Sequence, residues 1–305
     1  MDAYRPIDFK FIRGQEHAKR AIEVALAGKH SLMLWGQPSI GKTTMGLAAY
    51  DMFTNDLGQL NFELAEDLAD DAVVKTAKTE IDSLNPNAHQ VMVTSKPCPC
   101  GYFGDSHRVC NCSPDDFQHF FSPAARDLVK AALIHVELPM LDYEKLSSNR
   151  LGETSKAIAA RIRRAWAAQG HRYGFRYSLE YLTNKGIDQD SPKGVNLLAV
   201  PKIFNQALTI EQVTTGTEFT LDSPATAILK AACRQLAFTP RAYFDILKLG
   251  RTIADLGESK RIQASHLAEA IQYRRREVED LENQAKRDRD LDRVMEEQKE
   301  KVAGK

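Results

Sequence analysis

The pattern of apolar positions begins with a helix. Within residues 14–28, Ala18, Ala21, Ile22 and Ala25 recur at spacings of three and four, which places one small apolar face on a helix that stops at Gly28. Residues 31–35 form a short apolar run read as a strand, followed by a glycine-bearing loop and then a segment of helical composition at 44–53. A second β-like run at 90–94 leads straight into a group of cysteines, and a third at 133–138 ends at Pro139. Short strands interleaved with helical segments predict a mostly parallel sheet covered by helices.

Past residue 150 the period changes to that of helices alone. Ala225, Ile228, Leu229, Ala232 and Leu236 form one stripe, Tyr243, Ile246, Leu247 and Ile253 a second, and Leu267, Ala270 and Ile271 a third. Thr239-Pro240 is a cap and first-turn pair, which puts Arg241 at the start of a helix. Residues 186–194 (GIDQDSPKG) have the composition of a surface loop, and 274–305 are dense in mixed charge with few apolar side chains. The expected organisation is an α/β core over 1–150 carrying a cysteine-rich loop at 97–113, a helical lid over 151–276, and a charged helical tail over 277–305.

Composition narrows the function classes. A chain of 305 residues with 43% hydrophobic content can build both cores. Lys and Arg number 41, as do Asp and Glu, so no global basic field advertises nucleic acid. Any DNA contact would be local, at Arg161, Arg163 and Arg164 or at 274–276, and both clusters also read as solvated helix faces. No apolar run approaches the roughly 18 residues of a membrane span, and the first ten residues lack a signal peptide's apolar core, so a cytoplasmic protein without membrane contact is expected.

Two motifs carry chemistry. Gly36-Gln37-Pro38-Ser39-Ile40-Gly41-Lys42-Thr43 matches GxxxxGK[ST] between a strand and a helix, with Thr44 in the helix's first turn. Its glycines let backbone N–H groups curl around phosphates, Lys42 reaches the outer phosphate oxygens, and the Thr43 hydroxyl can ligate Mg²⁺, so ATP with Mg²⁺ is the expected ligand. Cys98, Cys100, Cys110 and Cys112 form C-x-C-x9-C-x-C, enough for tetrahedral coordination of a structural Zn²⁺. Free thiols and disulfides are the alternatives, and His107 inside the loop could replace one thiolate.

The phosphate loop, Gly14-Gln15-Glu16-His17-Ala18-Lys19-Arg20-Ala21 before it, Pro97-Cys98-Pro99-Cys100-Gly101 after it, and Arg251-Thr252-Ile253-Ala254-Asp255-Leu256 near the end together resemble one family. It is the magnesium-chelatase-like AAA+ ATPases, in their ComM-like branch, and the likeness runs from Phe9 to about Arg275. The resemblance implies a P-loop AAA+ three-layer core with a helical lid, assembly into a homo-oligomeric ring, and action on DNA during recombination or competence. Only some fifty residues separate Thr43 from the strand at Gln90, so a shortened parallel sheet is expected. The family's N-terminal Lon-protease-like domain is not expected, because the chain begins almost at the ATPase module.

Carried over position by position, the resemblance implies binding with little hydrolysis. Arg241 stands where the γ-phosphate is sensed. Within 58–64, Glu63 takes the Mg²⁺-supporting position and Leu64 that of the water-activating glutamate, a role leucine cannot perform; Glu66 or Asp67 is the alternative. Lys96 stands where a polar residue, usually Asn, precedes PCPCG. Ala131 occupies the place of the arginine that reaches a neighbouring subunit, with Arg126 and Lys130 nearby. The expectation is thus an ATP-binding family member that is a DNA-processing ring ATPase or, with its hydrolysis parts degraded, a regulatory or adaptor protein.

Overall fold

A computed structural model describes residues 6–57, 62–65, 90–105, 108–120 and 122–274. The charged tail, His107, Glu66 and Asp67 lie outside the described residues.

Among the described residues, four short parallel strands make the sheet: β1 (Leu32–Trp35), β2 (Phe62–Ala65), β3 (Gln90–Ser95) and β4 (Ile134–Glu137), in the spatial order β2-β3-β1-β4. β1 (LMLW) is apolar and buried throughout because both of its faces are covered, as expected of a parallel sheet. Leu32, Leu34, Met92, Ile134 and Val136 point to the face packed by helices α1 (Glu16–Gly28) and α2 (Lys42–Asp51). Met33, Trp35, Val91 and Val93 point the other way. There they meet Ala125, Leu128, Val129 and Ala132, from α4 (Pro123–Ala131) and the residue after it; α3 (Pro114–Phe120) precedes α4. The result is a three-layer α/β core.

Beyond β4 come α5 (Tyr143–Ser147) and α6 (Ser155–Tyr173), then α7 (Leu179–Asn184), α8 (Pro192–Leu198), α9 (Ile210–Thr215), α10 (Ser223–Gln235), α11 (Pro240–Leu256) and α12 (Ala264–Gln272). The predicted stripes are the packed faces: Ala225, Leu229, Ala232, Ile246, Leu247, Ile253, Leu267 and Ala270 are buried. Thr239 caps α11 by accepting from the N–H of Ala242 at 3.2 Å. The expected loop at 186–194 is corrected in part, since Ser191 caps α8 and Pro192 begins it. None of the described helices is long and apolar enough to cross a membrane.

The lid docks along the sheet edge where β1 begins. Fully buried Trp166 donates to Leu26 O at 3.2 Å, and Gln169 donates to Ala27 O at 2.9 Å. His30, also fully buried, bridges Gln206 Oε1 and Thr252 Oγ1, each at 2.8 Å. Asn205 extends that network to Asp255, which holds Arg251 (3.1 Å) and Arg172. At the outer side of the sheet the N–H of His135 on β4 donates to Tyr273 O at 3.0 Å, so the end of the lid covers that edge strand.

Candidate functional site

The connection from β1 to α2 is short and glycine-turned. Gly36 has φ +154 and passes so close to Leu138 that a Cβ would lie 2.7 Å from its carbonyl oxygen. Ser39 (φ 62) and Gly41 (φ 98) are also in the left-handed region. The Gly36 N–H donates to Ser95 O at 3.3 Å, which ties the start of the loop to the end of β3. The Lys42 ammonium donates to the carbonyls of Gly36 and Gln37 at 2.7 and 2.6 Å, and Thr43 and Thr44 are exposed in the first turn of α2. First-turn N–H groups have no intrahelical partner and carry the positive end of the helix dipole, so this end of α2 is suited to anions.

A cavity of about 410 Å³ opens beside the loop, lined by Gly36 and Gln37, by Pro97, Phe103 and Gly104, and by the stretch from Glu137 to Asp142. That stretch is held by the segment around Gln15. Gln15 Nε2 donates to Pro139 O at 2.7 Å, His17 Nε2 lies 2.7 Å from Glu137 O, and a Cβ on Gly14 (φ +58) would meet Leu141 at 2.9 Å. Glu137 and Asp142 bring two carboxylates to this cavity that the sequence reading passes over. The available signal was the end of β4 at the level of Trp35, where Glu137 pairs with it.

The four cysteines come together although nine residues separate Cys100 from Cys110. Sγ atoms of Cys98, Cys100 and Cys110 lie 3.4, 3.6 and 3.7 Å apart, and all four fall within 4.8 Å of one another. Tetrahedral zinc with Zn–S bonds of about 2.3 Å needs S···S edges of about 3.8 Å, so these thiols lie close to the spacing the ion requires. A turn closed by the Gly101 N–H on Cys98 O (3.0 Å) and a backbone N–H of Cys100 directed at Cys112 Sγ (3.4 Å) shape the cup. Burial holds Cys98, Cys110 and Cys112 up at about 11. Burial also opposes ionisation of Cys100, but hydrogen bonds from the Tyr102 backbone and from Cys98 and Cys112 bring it down to about 7. A cation would be needed to ionise all four thiols together.

Strand register corrects the acidic positions. Glu63 pairs with Val91, whose N–H in turn donates to Ser31 Oγ at 3.4 Å, whereas the phosphate loop leaves the sheet at the level of Trp35 and Ser95. At about 3.3 Å per residue, four residues put the Glu63 backbone about 13 Å from that edge, too far to support a metal there. Leu64 is a packing residue: a Cβ on Gly46 of α2 would come within 2.7 Å of its Cδ1. The strand runs on to Ala65, and the residues that follow it in the chain are Glu66 and Asp67.

Comparison with known proteins places this architecture. The family profile described as magnesium chelatase, subunit ChlI, matches residues 8–66 and 62–146, and the profile for the C-terminal part of the same subunit matches 152–274. The chain belongs to the magnesium chelatase ChlI family. The family is one of ATP-binding AAA+ proteins, in agreement with the three-layer core and helical lid. Competence protein ComM of Haemophilus influenzae is 23% identical over 337 aligned positions, covering 88% of this chain and 60% of that protein. The chain therefore spans about 60% of the length of that relative. A crystal structure of a candidate ATPase from Cytophaga hutchinsonii aligns with 87% of this chain and 82% of its own, at 12% identity and a TM-score of 0.43.

Within this family member the lid arginine does not reach its own loop. Arg241, paired with Asp245 at 3.6 Å, lines a separate cavity of about 150 Å³ with Lys130, Ala131, Leu133 and Arg274. The N–H of Leu133 donates to Ser31 O, so this cavity lies at the opposite edge of the sheet from Gly36–Thr43. The expectation that Arg241 senses the γ-phosphate of its own chain is corrected accordingly. Among the arginines considered for DNA, Arg161 is held by Glu23 and Glu153, Arg163 donates to Asp56 O at 2.9 Å, and Arg164 pairs with Glu258 at 2.7 Å. They brace α6 against neighbouring elements and do not form an open cationic stripe.

Proposed function

We propose that this chain binds ATP with Mg²⁺ through Gly36, Gln37, Pro38, Ser39, Ile40, Gly41, Lys42, Thr43 and Thr44, and that nucleotide occupancy sets the geometry of a homo-oligomeric ring acting on DNA. The carrying observation is the loop itself, where glycine turns lead into a helix N-terminus and the Lys42 ammonium rests on the loop's own carbonyls. Phosphate oxygens offer that ammonium a stronger, charge-assisted partner, and the α2 amides receive the remaining charge. Thr43 would ligate the Mg²⁺. Cys98, Cys100, Cys110 and Cys112 would hold Zn²⁺, which supplies a four-point crosslink and leaves no open position for chemistry.

The ring reading is supported by family membership and by Arg241, which with Lys130 and Arg274 presents cations on the edge away from its own phosphate loop. In a head-to-tail ring that edge would meet a neighbour's nucleotide. The DNA reading rests on kinship with a competence protein. A second reading, a nucleotide switch with little turnover, is favoured by Ala131, a methyl group where the resemblance puts an arginine worth roughly 10³ to 10⁵ in rate. The register of β2 supports the opposite view on one point, since Leu64 pairs with Met92, short of the site edge, while Lys96 in place of the usual Asn still favours slow turnover.

The first test is ligand linkage. ATP with Mg²⁺ at about 100 times Kd should stabilise the chain by about 2.7 kcal/mol, and Lys42→Ala should abolish the shift. Equal shifts in both proteins would remove the assignment. Phosphate release measured with and without branched DNA separates the two readings: stimulated turnover supports the machine, and background release in both supports the switch.

A further inference from the structure

Building on the nucleotide and zinc readings above, we infer that metal binding by Cys98, Cys100, Cys110 and Cys112 controls how tightly the phosphate loop holds ATP, with the turn at Gly101 as the physical link. Three contacts on the same edge of the sheet support it. Only Lys96 and Pro97 separate the end of β3 from Cys98, and the Gly36 N–H is bonded to Ser95 O, so the loop and the cluster hang from one strand end. Gly101, in the turn closed on Cys98, presses on the phosphate loop: with φ +84, a Cβ there would lie 2.8 Å from both Cγ and Cδ of Pro38. Pro97, Phe103 and Gly104 line the same cavity as Gly36 and Gln37. The cysteine loop is thus one wall of the phosphate loop's surroundings.

What keeps that wall in place is a small set of interactions. Beneath it lie Cys98, Cys112 and Phe117, with Phe103 edge-on to Phe117 at 5.2 Å between ring centres. Thiol–thiol contacts are weak hydrogen bonds. Zinc would replace them with four bonds that fix both pairs of cysteines at once, and metal-site binding energy of this kind is ordering energy for the chain that carries it. A phosphate loop binds through backbone amides whose directions must match the phosphate oxygens, so loss of the wall against Pro38 lowers the fraction of chains competent to bind. Coupling between two ligands is reciprocal, so ATP must tighten zinc by the factor by which zinc tightens ATP.

The experiment measures ATP·Mg²⁺ affinity by calorimetry on the full chain as purified with zinc, after stripping with a chelator, and after zinc is restored. Stripping should weaken ATP about tenfold, within the usual range of coupling between sites, and restoration should reverse it. Gly101→Ala, which keeps all four cysteines, should retain one zinc per chain and weaken ATP as well, so the inference stays testable if the stripped chain unfolds. As a reciprocal readout, saturating ATP·Mg²⁺ should lower zinc loss to a chromophoric chelator, and Lys42→Ala, which retains zinc, should show no such protection. Equal ATP affinity with and without zinc overturns the inference and leaves the nucleotide reading standing. Zinc-loaded protein that binds no ATP overturns the nucleotide reading itself, and a chain that takes up no zinc overturns the metal site.

Discussion

Acidification should weaken the junction between core and lid through one side chain. His30 is fully buried, and burial above all, aided by the charge of Lys248 and opposed by a hydrogen bond with Gln206, lowers it to about 4. An unfolded chain protonates histidine near 6.5, so between these values the unfolded state binds more protons than the native one and stability falls as pH falls. At 1.36 kcal/mol per unit, the gap of 6.5 − 4 predicts a loss of about 1.4 kcal/mol by about pH 5.5 and about 2.5 kcal/mol by about pH 4.5. It levels near 3.4 kcal/mol below about pH 4. Carboxylates titrate in the same range, so the informative quantity is a difference. His30→Gln keeps a donor and an acceptor beside Gln206 and Thr252 but cannot titrate. Urea unfolding of both proteins at about pH 7, 5.5 and 4.5 and fixed ionic strength should show the variant losing less by these amounts. Parallel losses in wild type and variant would refute the assignment of a neutral, buried His30 as a source of acid sensitivity.

Other outcomes follow from the same contacts. Asp255→Ala leaves Arg251, 1% exposed, and Arg172 without their carboxylate and should cost about 3–5 kcal/mol in urea unfolding; a loss below about 1 kcal/mol would mean the guanidinium groups rely on backbone carbonyls alone. Gly28→Ala should lower Tm despite alanine's helix advantage of about 1 kcal/mol, because its Cβ would come within 2.3 Å of His30 Nε2 and 2.5 Å of Thr252 Oγ1. A raised Tm would contradict that packing. Glu63→Gln should leave ATP·Mg²⁺ affinity within about twofold of wild type, since the strand places that residue away from the loop. A tenfold loss would show the register of β2 to be wrong.

Several motifs that carry the family resemblance gain a physical reason only in three dimensions. Gln15 and His17 stand in the sequence only as members of a shared motif, yet both hold the chain at and just after the end of β4 by its carbonyls. The stretch Arg251 to Leu256 is a buried polar node joining the lid to His30. Gly28 reads as a helix stop, but the left-handed cap is Lys29 (φ 55), and the missing side chain of Gly28 is what lets His30 reach Thr252. Sequence reasoning sees backbone conformation and periodicity well. It does not see which distant atom a small residue makes room for.

What the amino-acid string determines here is whatever depends on neighbours in the chain. The short apolar run of β1, the glycine turns from Gly36 to Gly41, the Thr239-Pro240 cap and the apolar stripes of the lid all follow from local sterics and period, and all four are present in the fold. What only the tertiary structure decides is level and side. Pairing register moved Glu63 back along its strand, lid docking carried Arg241 to the far edge of the sheet, and closure of a loop drew four thiols within 4.8 Å beside Pro38. A one-dimensional pattern repeats every few residues and so leaves such offsets open, whereas packing of buried side chains admits only one of them.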